Sequence, residues 1–406
     1  MRTKYPVHDV PGADNLRGML TRTKCEARCT RAFARPGSAP APRARAIAAL
    51  LVLALAAAGC SHSPTKPPPT GATRSWVMGF SAFPPRPDLG VTISLIDLAA
   101  LRSDAFIQHT GPPWDSLLAG VPADTLVRRR EYPLMNYFRN VKGKKVVFEV
   151  DLTNGLNRAA EDPVLVALGR SITEPQVQSL ACAWIAAVDT ILHPDWLGIA
   201  SETNLVRAAA PPSLYSALRT LANSAADSLA ALHARRPGLP RPVLYSSVQV
   251  EVAWGRLGGS GPYQGIATDL TDFPYSQVLG LSSYPYLAGF ANPEDPPSDY
   301  YSRIADEAAK PVMVIEGGWP SASFDGYTTS PAEQARYVRR HAELLDDAHA
   351  VGWLSLEFAD LAVSLWVPPP DPGIRIFASI GLTDSVLSPK PSLATWDSLY
   401  ARPLTH

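Results

Sequence analysis

Eight short apolar runs, separated by stretches of helical period, leave this chain little choice of architecture. They are SWVMGFSAF from Ser75, DAFIQHT from Asp104, KKVVFEVDL from Lys144, WLGIASE from Trp196, PVLYSSVQV from Pro242, SQVLGLSSYP from Ser276, KPVMVIEGG from Lys310 and AVGWLSLEF from Ala350. Runs of this length, bounded by turn residues, read as strands. Parallel neighbours need a crossover and a helix supplies it, so the alternation predicts a parallel sheet built from βα units.

The intervening helices carry start signals. Thr173, followed by Pro175 and Gln176, reads as a capping box opening an apolar stripe of Val177, Leu180, Trp184, Ala187, Val188 and Ile191. Leu214, Leu218, Leu221, Leu229 and Leu232 repeat the pattern after Ser213, and Ser330, Pro331 and Glu333 supply a cap, an N1 proline and a reciprocal carboxylate. With 406 residues the length alone would allow two or three domains. No repeat and no second linker divides the chain, so residues 75–406 are expected to form one α/β domain, a (β/α)8 TIM barrel. The rival, a doubly wound open sheet, needs a Gly-rich turn after the first strand, and none is present.

The N-terminal part reads differently. Residues 1–59 hold ten basic and three acidic side chains, which leaves 27 against 34 in the remainder and no basic face for nucleic acid. After Arg43 and Arg45 runs AIAALLVLALAAAGC, too short to span a bilayer and shaped like a secretory signal. Its AAGC end resembles a bacterial lipobox, which implies lipidation of Cys60 and an exported protein anchored to the cell membrane or the outer membrane; Ala57 stands where that motif usually has leucine. Translation from Met19 or beyond would fit the length of the leader. Residues 60–74, SHSPTKPPPTGATR after the cysteine, read as a tether. Cys182 then lacks a disulfide partner, and its neighbours LACAWIAAV suggest a buried small apolar residue.

In a barrel of this kind chemistry sits at the C-terminal ends of the strands. Glu202 closes the fourth run in WLGIASETN and Glu316 closes the seventh in VMVIEGGWPS. Strands three places apart on the ring would aim these carboxylates across the mouth at one another. Two facing carboxyls about 5–5.5 Å apart are what retaining glycoside hydrolysis requires. The pattern resembles the large retaining glycosidase clan with catalytic glutamates on strands four and seven. IEGGWPS is similar to the nucleophile segment of β-1,3-glucanases, and LGLSSYPYL to the segment before the nucleophile strand of endo-β-1,4-galactanases. The resemblance implies Glu316 as nucleophile, Glu202 as acid/base and Tyr284 as a hydrogen-bond partner of the nucleophile. It also implies that Glu202 rests protonated while Glu316 rests ionised. Many clan members have asparagine before the acid/base, to bind the sugar 2-hydroxyl; here the residue is Ser201, with Asn204 two positions beyond the glutamate.

Further candidates for substrate binding are Asp151 and Glu149 at the end of the third run, one expected in the mouth and one outward, and His109 closing the second. Glu357 closes the eighth run, Glu251 follows the fifth, and Trp114, Trp254 and Trp319 offer rings for sugar stacking. No metal-ligand spacing, cofactor motif or G-x-S-x-G elbow is present. The sequence therefore points to a monomeric, cofactor-free enzyme acting on an oligo- or polysaccharide, with a non-catalytic glycan-binding surface lipoprotein as the competing class.

Overall fold

The computed structural model describes residues 73–366 and 370–405. The signal segment, Cys60 and the tether up to residue 72 lie outside the described residues. Eight strands close into a parallel barrel in chain order: β1 (Val77–Ser81), β2 (Ala105–Thr110), β3 (Lys145–Val150), β4 (Trp196–Ala200), β5 (Val243–Gln249), β6 (Val278–Ser283), β7 (Val312–Gly317) and β8 (Gly352–Ser355). Each lies within the run that announced it.

One principal helix follows each strand. These are α1 (Leu89–Ala100), α2 (Ala123–Arg130), α3 (Pro175–Leu192), α4 (Pro212–Arg235), α5 (Ala267–Asp272), α6 (Ser302–Ala308), α7 (Pro331–Asp347) and α8 (Pro391–Tyr400). The cap of α7 is as expected: Ser330 accepts from the Glu333 N–H and donates to its carboxylate at 2.8 Å. The cap of α3 is not Thr173. Glu174 occupies that position, and its carboxylate turns back to accept from the Ser171 N–H at 2.8 Å. The folded body also starts earlier than Trp76. Arg74, counted with the tether, is buried against Asp104 at 2.6 Å and pairs with Leu404, so both described ends of the domain meet.

Two apolar layers result. Outside the sheet, Trp76, Phe106, Phe148, Trp184 and Trp396 pack between strands and helices. Inside it, Ala105, Ile107, Val147, Tyr245, Val278, Met313, Ile315 and Leu354 fill the barrel. Gly198 on β4 makes room there, since a Cβ at that position would run into the Glu149 carboxylate and the Tyr245 ring. Cys182 is half-buried on α3, and burial raises its thiol pKa, as suits an inert apolar residue.

Register matters more than length. Between β4 and β5 the pairing skips Ile199, and between β6 and β7 it skips Ile315. Each is a bulge that adds one residue to a strand and reverses the side-chain alternation beyond it. Ser282 consequently pairs with Glu316 rather than with Ile315.

Gly198→Ala is expected to lose about 1–3 kcal/mol of stability through overpacking. A fall in the thermal midpoint of the purified domain, absent for Gly238→Ala at an open position, would register it.

Candidate active site

Glu316 lies on β7 just past its bulge and faces inward, with its side chain 13% exposed. Glu202 stands two residues beyond β4, at φ 47° and ψ 47°. A non-glycine residue pays roughly 1–2 kcal/mol for that left-handed conformation. Local hydrogen bonds hold it there: the Glu202 N–H donates to Ser247 at 2.9 Å, and its carbonyl accepts from the Val206 N–H at 3.0 Å, starting the helix Thr203–Ala209.

Ser282 joins the two glutamates. Its hydroxyl donates to Glu202 Oε1 at 2.7 Å, and in strand register Ser282 is paired with Glu316. The expected meeting of Glu202 and Glu316 over one mouth is thus present in the structure.

A residue that sequence reasoning missed sits between them. Arg158, buried in the loop after β3, donates from Nε to Glu202 Oε2 at 2.8 Å and from Nη1 to Asp151 Oδ1 at 2.7 Å. In a polar stretch such as NGLNRAAEDP it looks like any solvated loop arginine. The available signal was electrostatic: carboxylates at several strand ends, converging on one mouth, demand a buried cation.

Charges follow from this arrangement. Burial works against Asp151 ionisation, yet Arg158 and His109 together hold its carboxyl below the usual range. Burial also works against the Arg158 charge, and Asp151, Glu202 and Glu316 overcome it. For Glu316, burial comes first and the Glu202 charge second; both push its pKa up, and Arg158 and Ser282 offset them only in part. Glu202 pairs directly with Arg158 at 2.8 Å, whereas Glu316 makes no such direct pair among the described residues.

Below the mouth lies a polar floor. Glu149 Oε1 accepts from Ser201 at 2.7 Å and from Ser247 at 3.0 Å, and Tyr245 faces the same carboxyl. Glu149 on β3 and Asp151 just beyond its end are two positions apart, so both face inward; the expectation of one inward and one outward is corrected by the two-residue period. Burial, which outweighs His109, Tyr245 and Ser201, pushes the Glu149 pKa up to about 7.

The other candidates divide cleanly. His109 is beside the pair, with Nδ1 4.0 Å from Glu316 Oε2 and a buried Nε2 that has no partner among the described residues. Tyr284 follows β6 and packs on Phe377; burial, then the Glu316 charge, hold its phenol well above the usual range. Asn204 does not reach the mouth, because its amide exchanges two 2.8 Å hydrogen bonds with the Gln249 backbone. Trp319 is 1% exposed, stacked on Tyr337 and bonded to Thr329, so it offers no face to a sugar. Trp114 is likewise buried, and Trp254 stacks on Tyr300. Glu357 lies two residues beyond β8, 1% exposed, with burial raising its carboxyl and Oε2 unpartnered among the described residues. Glu251 is a tie rather than a ligand, accepting from Ser283, the Tyr284 N–H and Tyr300. Among the described residues no group of His, Cys, Asp and Glu is arranged to hold a metal ion.

No protein-family model matches the chain, and no curated protein does either. Solved structures share its fold. An exo-β-1,4-mannosidase from Opitutaceae bacterium strain TAV5 gives a TM-score of 0.56 at 16% identity, over 83% of this chain and 62% of that one. A family 39 glycoside hydrolase from Bacteroides cellulosilyticus WH2 gives 0.51 at 19%, over 80% and 63%. Xylanase 10B from Thermotoga petrophila RKU-1, solved with xylobiose, gives 0.50 at 12%, over 80% and 94%. The chain spans less than two thirds of the first two. None of the three is named a galactanase or a β-1,3-glucanase, and at these identities the likeness is one of fold.

The Glu149 shift carries a stability prediction. Its folded pKa of about 7 exceeds the ordinary glutamate value of 4.5, so between those values the folded state binds more protons and stability falls as pH rises. Glu149→Gln keeps an acceptor for Ser201 and cannot ionise. The variant is expected to gain thermal midpoint over wild type at pH 8 and to show little gain near pH 4, measured by scanning calorimetry.

Proposed function

We propose that this chain is a retaining glycoside hydrolase that cleaves a β-linked glycan by double displacement. The observation that carries the reading is that Glu202, bonded to Ser282, and Glu316, paired with Ser282 in strand register, stand at the same mouth of a closed barrel. Retention calls for carboxyls about 5–5.5 Å apart and inversion for about 6.5–9.5 Å, so the configuration of the product distinguishes the two. The names of the three solved likenesses, a mannosidase, a family 39 hydrolase and a xylanase, lend support.

In this mechanism the Glu316 carboxylate attacks the anomeric carbon while Glu202 gives its proton to the departing glycosidic oxygen. The glycosyl–enzyme bond is then broken by water, from which Glu202 takes a proton, restoring both groups. His109 and Asp151 line the same mouth and are the candidates for holding sugar hydroxyls, with Tyr284 beside the nucleophile. The two sequence segments that suggested β-1,4-galactan and β-1,3-glucan make these the first polymers to try.

A second reading, a glycan-binding barrel without turnover, is favoured by one feature: the residue before the acid/base is a serine whose hydroxyl is engaged by Glu149. Wild type is expected to hydrolyse at least one activated aryl β-glycoside with retained configuration, and Glu316→Ala and Glu202→Ala to lose about 10²–10⁴-fold in kcat. Equal rates for wild type and Glu316→Ala on every sugar would refute catalysis here. Glycan-array binding unaffected by Glu202→Gln, without hydrolysis, would establish the second reading.

Export and anchoring through Cys60 are part of the proposal and rest on the sequence alone. Metabolic labelling with a fatty acid is expected to tag the full-length wild type and to leave Cys60→Ala untagged.

A further inference from the structure

The end of the barrel opposite the mouth carries a charge of its own. Residues 137–145, which lead into β3, and residues 235–243, which lead into β5, hold seven basic side chains and no acidic one. Residues 60–406 as a whole carry 27 basic against 34 acidic side chains, so this sector runs against the sign of the chain. Between the two segments, at the starts of β3, β4 and β5, lies a cleft of about 550 Å³ walled by Arg139, Lys145, His193, Trp196 and Arg241.

Asp195 is the one carboxylate among the described residues that line this cleft, and Arg139 already holds it at 2.6 Å. Lys145, Arg235, Arg236 and Arg241 are exposed, and none has a carboxylate in ion-pairing distance among the described residues. Lys145 instead lies 5.2 Å over the Trp196 ring. Their field reaches inside: burial, then Arg139 and Arg236, hold the His193 imidazole below its usual range, and its buried Nδ1 has no partner among the described residues. Cations gathered without acids around a cleft call for an anion.

The chain enters the domain on this same face. Arg74 bonds Asp104 at 2.6 Å just before β2, and the neighbouring Ser103 carbonyl accepts from Lys144 at 2.7 Å, so the first described residues adjoin the basic sector. Thirteen residue steps separate Thr73 from Cys60, a reach of at most about 45 Å. An acyl chain on Cys60 would draw this face, rather than the mouth, toward a bilayer, whose surface offers the dense phosphate that the cleft lacks. Val141, 59% exposed at the end of the turn Tyr137–Val141, adds an apolar contact beside the basic ones, as docking into a membrane interface uses. We propose that the N-terminal end of the barrel, centred on the cleft between Arg139 and Arg241, is a docking surface for the phosphate groups of an anionic lipid membrane, and that it turns the mouth away from the bilayer. The direction of the tether rests on the anchoring proposed above; the surface itself does not.

Partition of the full chain onto vesicles tests the proposal, with phosphatidylcholine alone compared with a mixture of phosphatidylcholine and phosphatidylglycerol and the bound fraction read by sedimentation. Each basic side chain near an anionic surface adds about fivefold to partition. The double variant Arg236→Gln, Arg241→Gln is therefore expected to bind the mixed vesicles about 30-fold less than wild type, and pure phosphatidylcholine equally. Both proteins share the same N-terminal segment, whose own attraction to lipid cancels. The deficit is expected to vanish at about 1 M salt, where the Debye length is about 3 Å, which separates lost charge from lost fold. A second double variant, Arg336→Gln, Arg339→Gln, on the mouth-side half of α7, is expected to match wild type. Equal partition of wild type and the first variant, or an equal loss in the second, would overturn the docking. Inorganic phosphate or a polyuronate that binds wild type and not the first variant, with vesicle partition unchanged, would assign the cleft to a soluble anion and overturn it too. A loss confined to the first variant supports the surface even if Cys60 proves unacylated, so the two readings fail separately.

Discussion

One inserted residue on each of two strands decides where the chemistry can happen. Met313 and Ile315 both point into the barrel, so strict alternation would send Glu316 outward toward the helices. The bulge at Ile315 breaks that alternation and sets Glu316 opposite Ser282. Gly317 makes the geometry affordable in space: its φ is 155°, and a Cβ would collide with the Ser283 carbonyl, so only glycine lets β7 approach β6 this closely. On β4 the bulge at Ile199 does the equivalent for Ser201, turning its hydroxyl onto Glu149 and leaving Glu202 to swing through a left-handed residue into the mouth.

Gathering carboxyls in this way creates an electrostatic problem that the rest of the mouth answers. Glu149, Asp151, Glu202 and Glu316 converge in a space from which water is largely excluded, where like charges repel far more strongly than in solution. Arg158 neutralises two of them through direct hydrogen bonds. The other two respond by burial, which raises both their pKa values. Removing the single cation would leave its partners buried and unpaired, which is costlier than the pair is worth. The arginine is thus fixed by the acids, even though its loop carries no periodic signal.

That contrast explains what was legible in the sequence. The eight strands were, because burial on both faces leaves runs that no exposed segment imitates, and all eight fall inside their predicted ranges. Glu202 and Glu316 were legible as strand-end carboxylates, while the bulges that bring them to one mouth were not. Asn204, Trp319 and Glu357 share that position in sequence, yet each is claimed by neighbours: Asn204 by the Gln249 backbone, Trp319 by Tyr337 and Thr329, Glu357 by burial beneath the long segment after β8. Which strand-end residues stay free depends on contacts with distant segments, and a single sequence does not display them. The bulges were invisible for the same reason, since Ile199 and Ile315 differ in no way from the strand residues beside them.

The floor beneath Glu202 links these points. Glu149 holds Ser201 and Ser247, and Ser247 accepts from the Glu202 N–H, so the Glu149 carboxyl helps to hold the left-handed backbone of Glu202. Asparagine at position 201 would bring a longer amide to the place where Ser201 fits beside Glu149, and would break the chain of hydroxyls unless the amide took over the same acceptor. Serine there is consistent with a site organised from below, in which the position and charge of Glu202 are set by the barrel interior and by Arg158. From another strand His109 completes the same mouth, with Nδ1 4.0 Å from Glu316 Oε2.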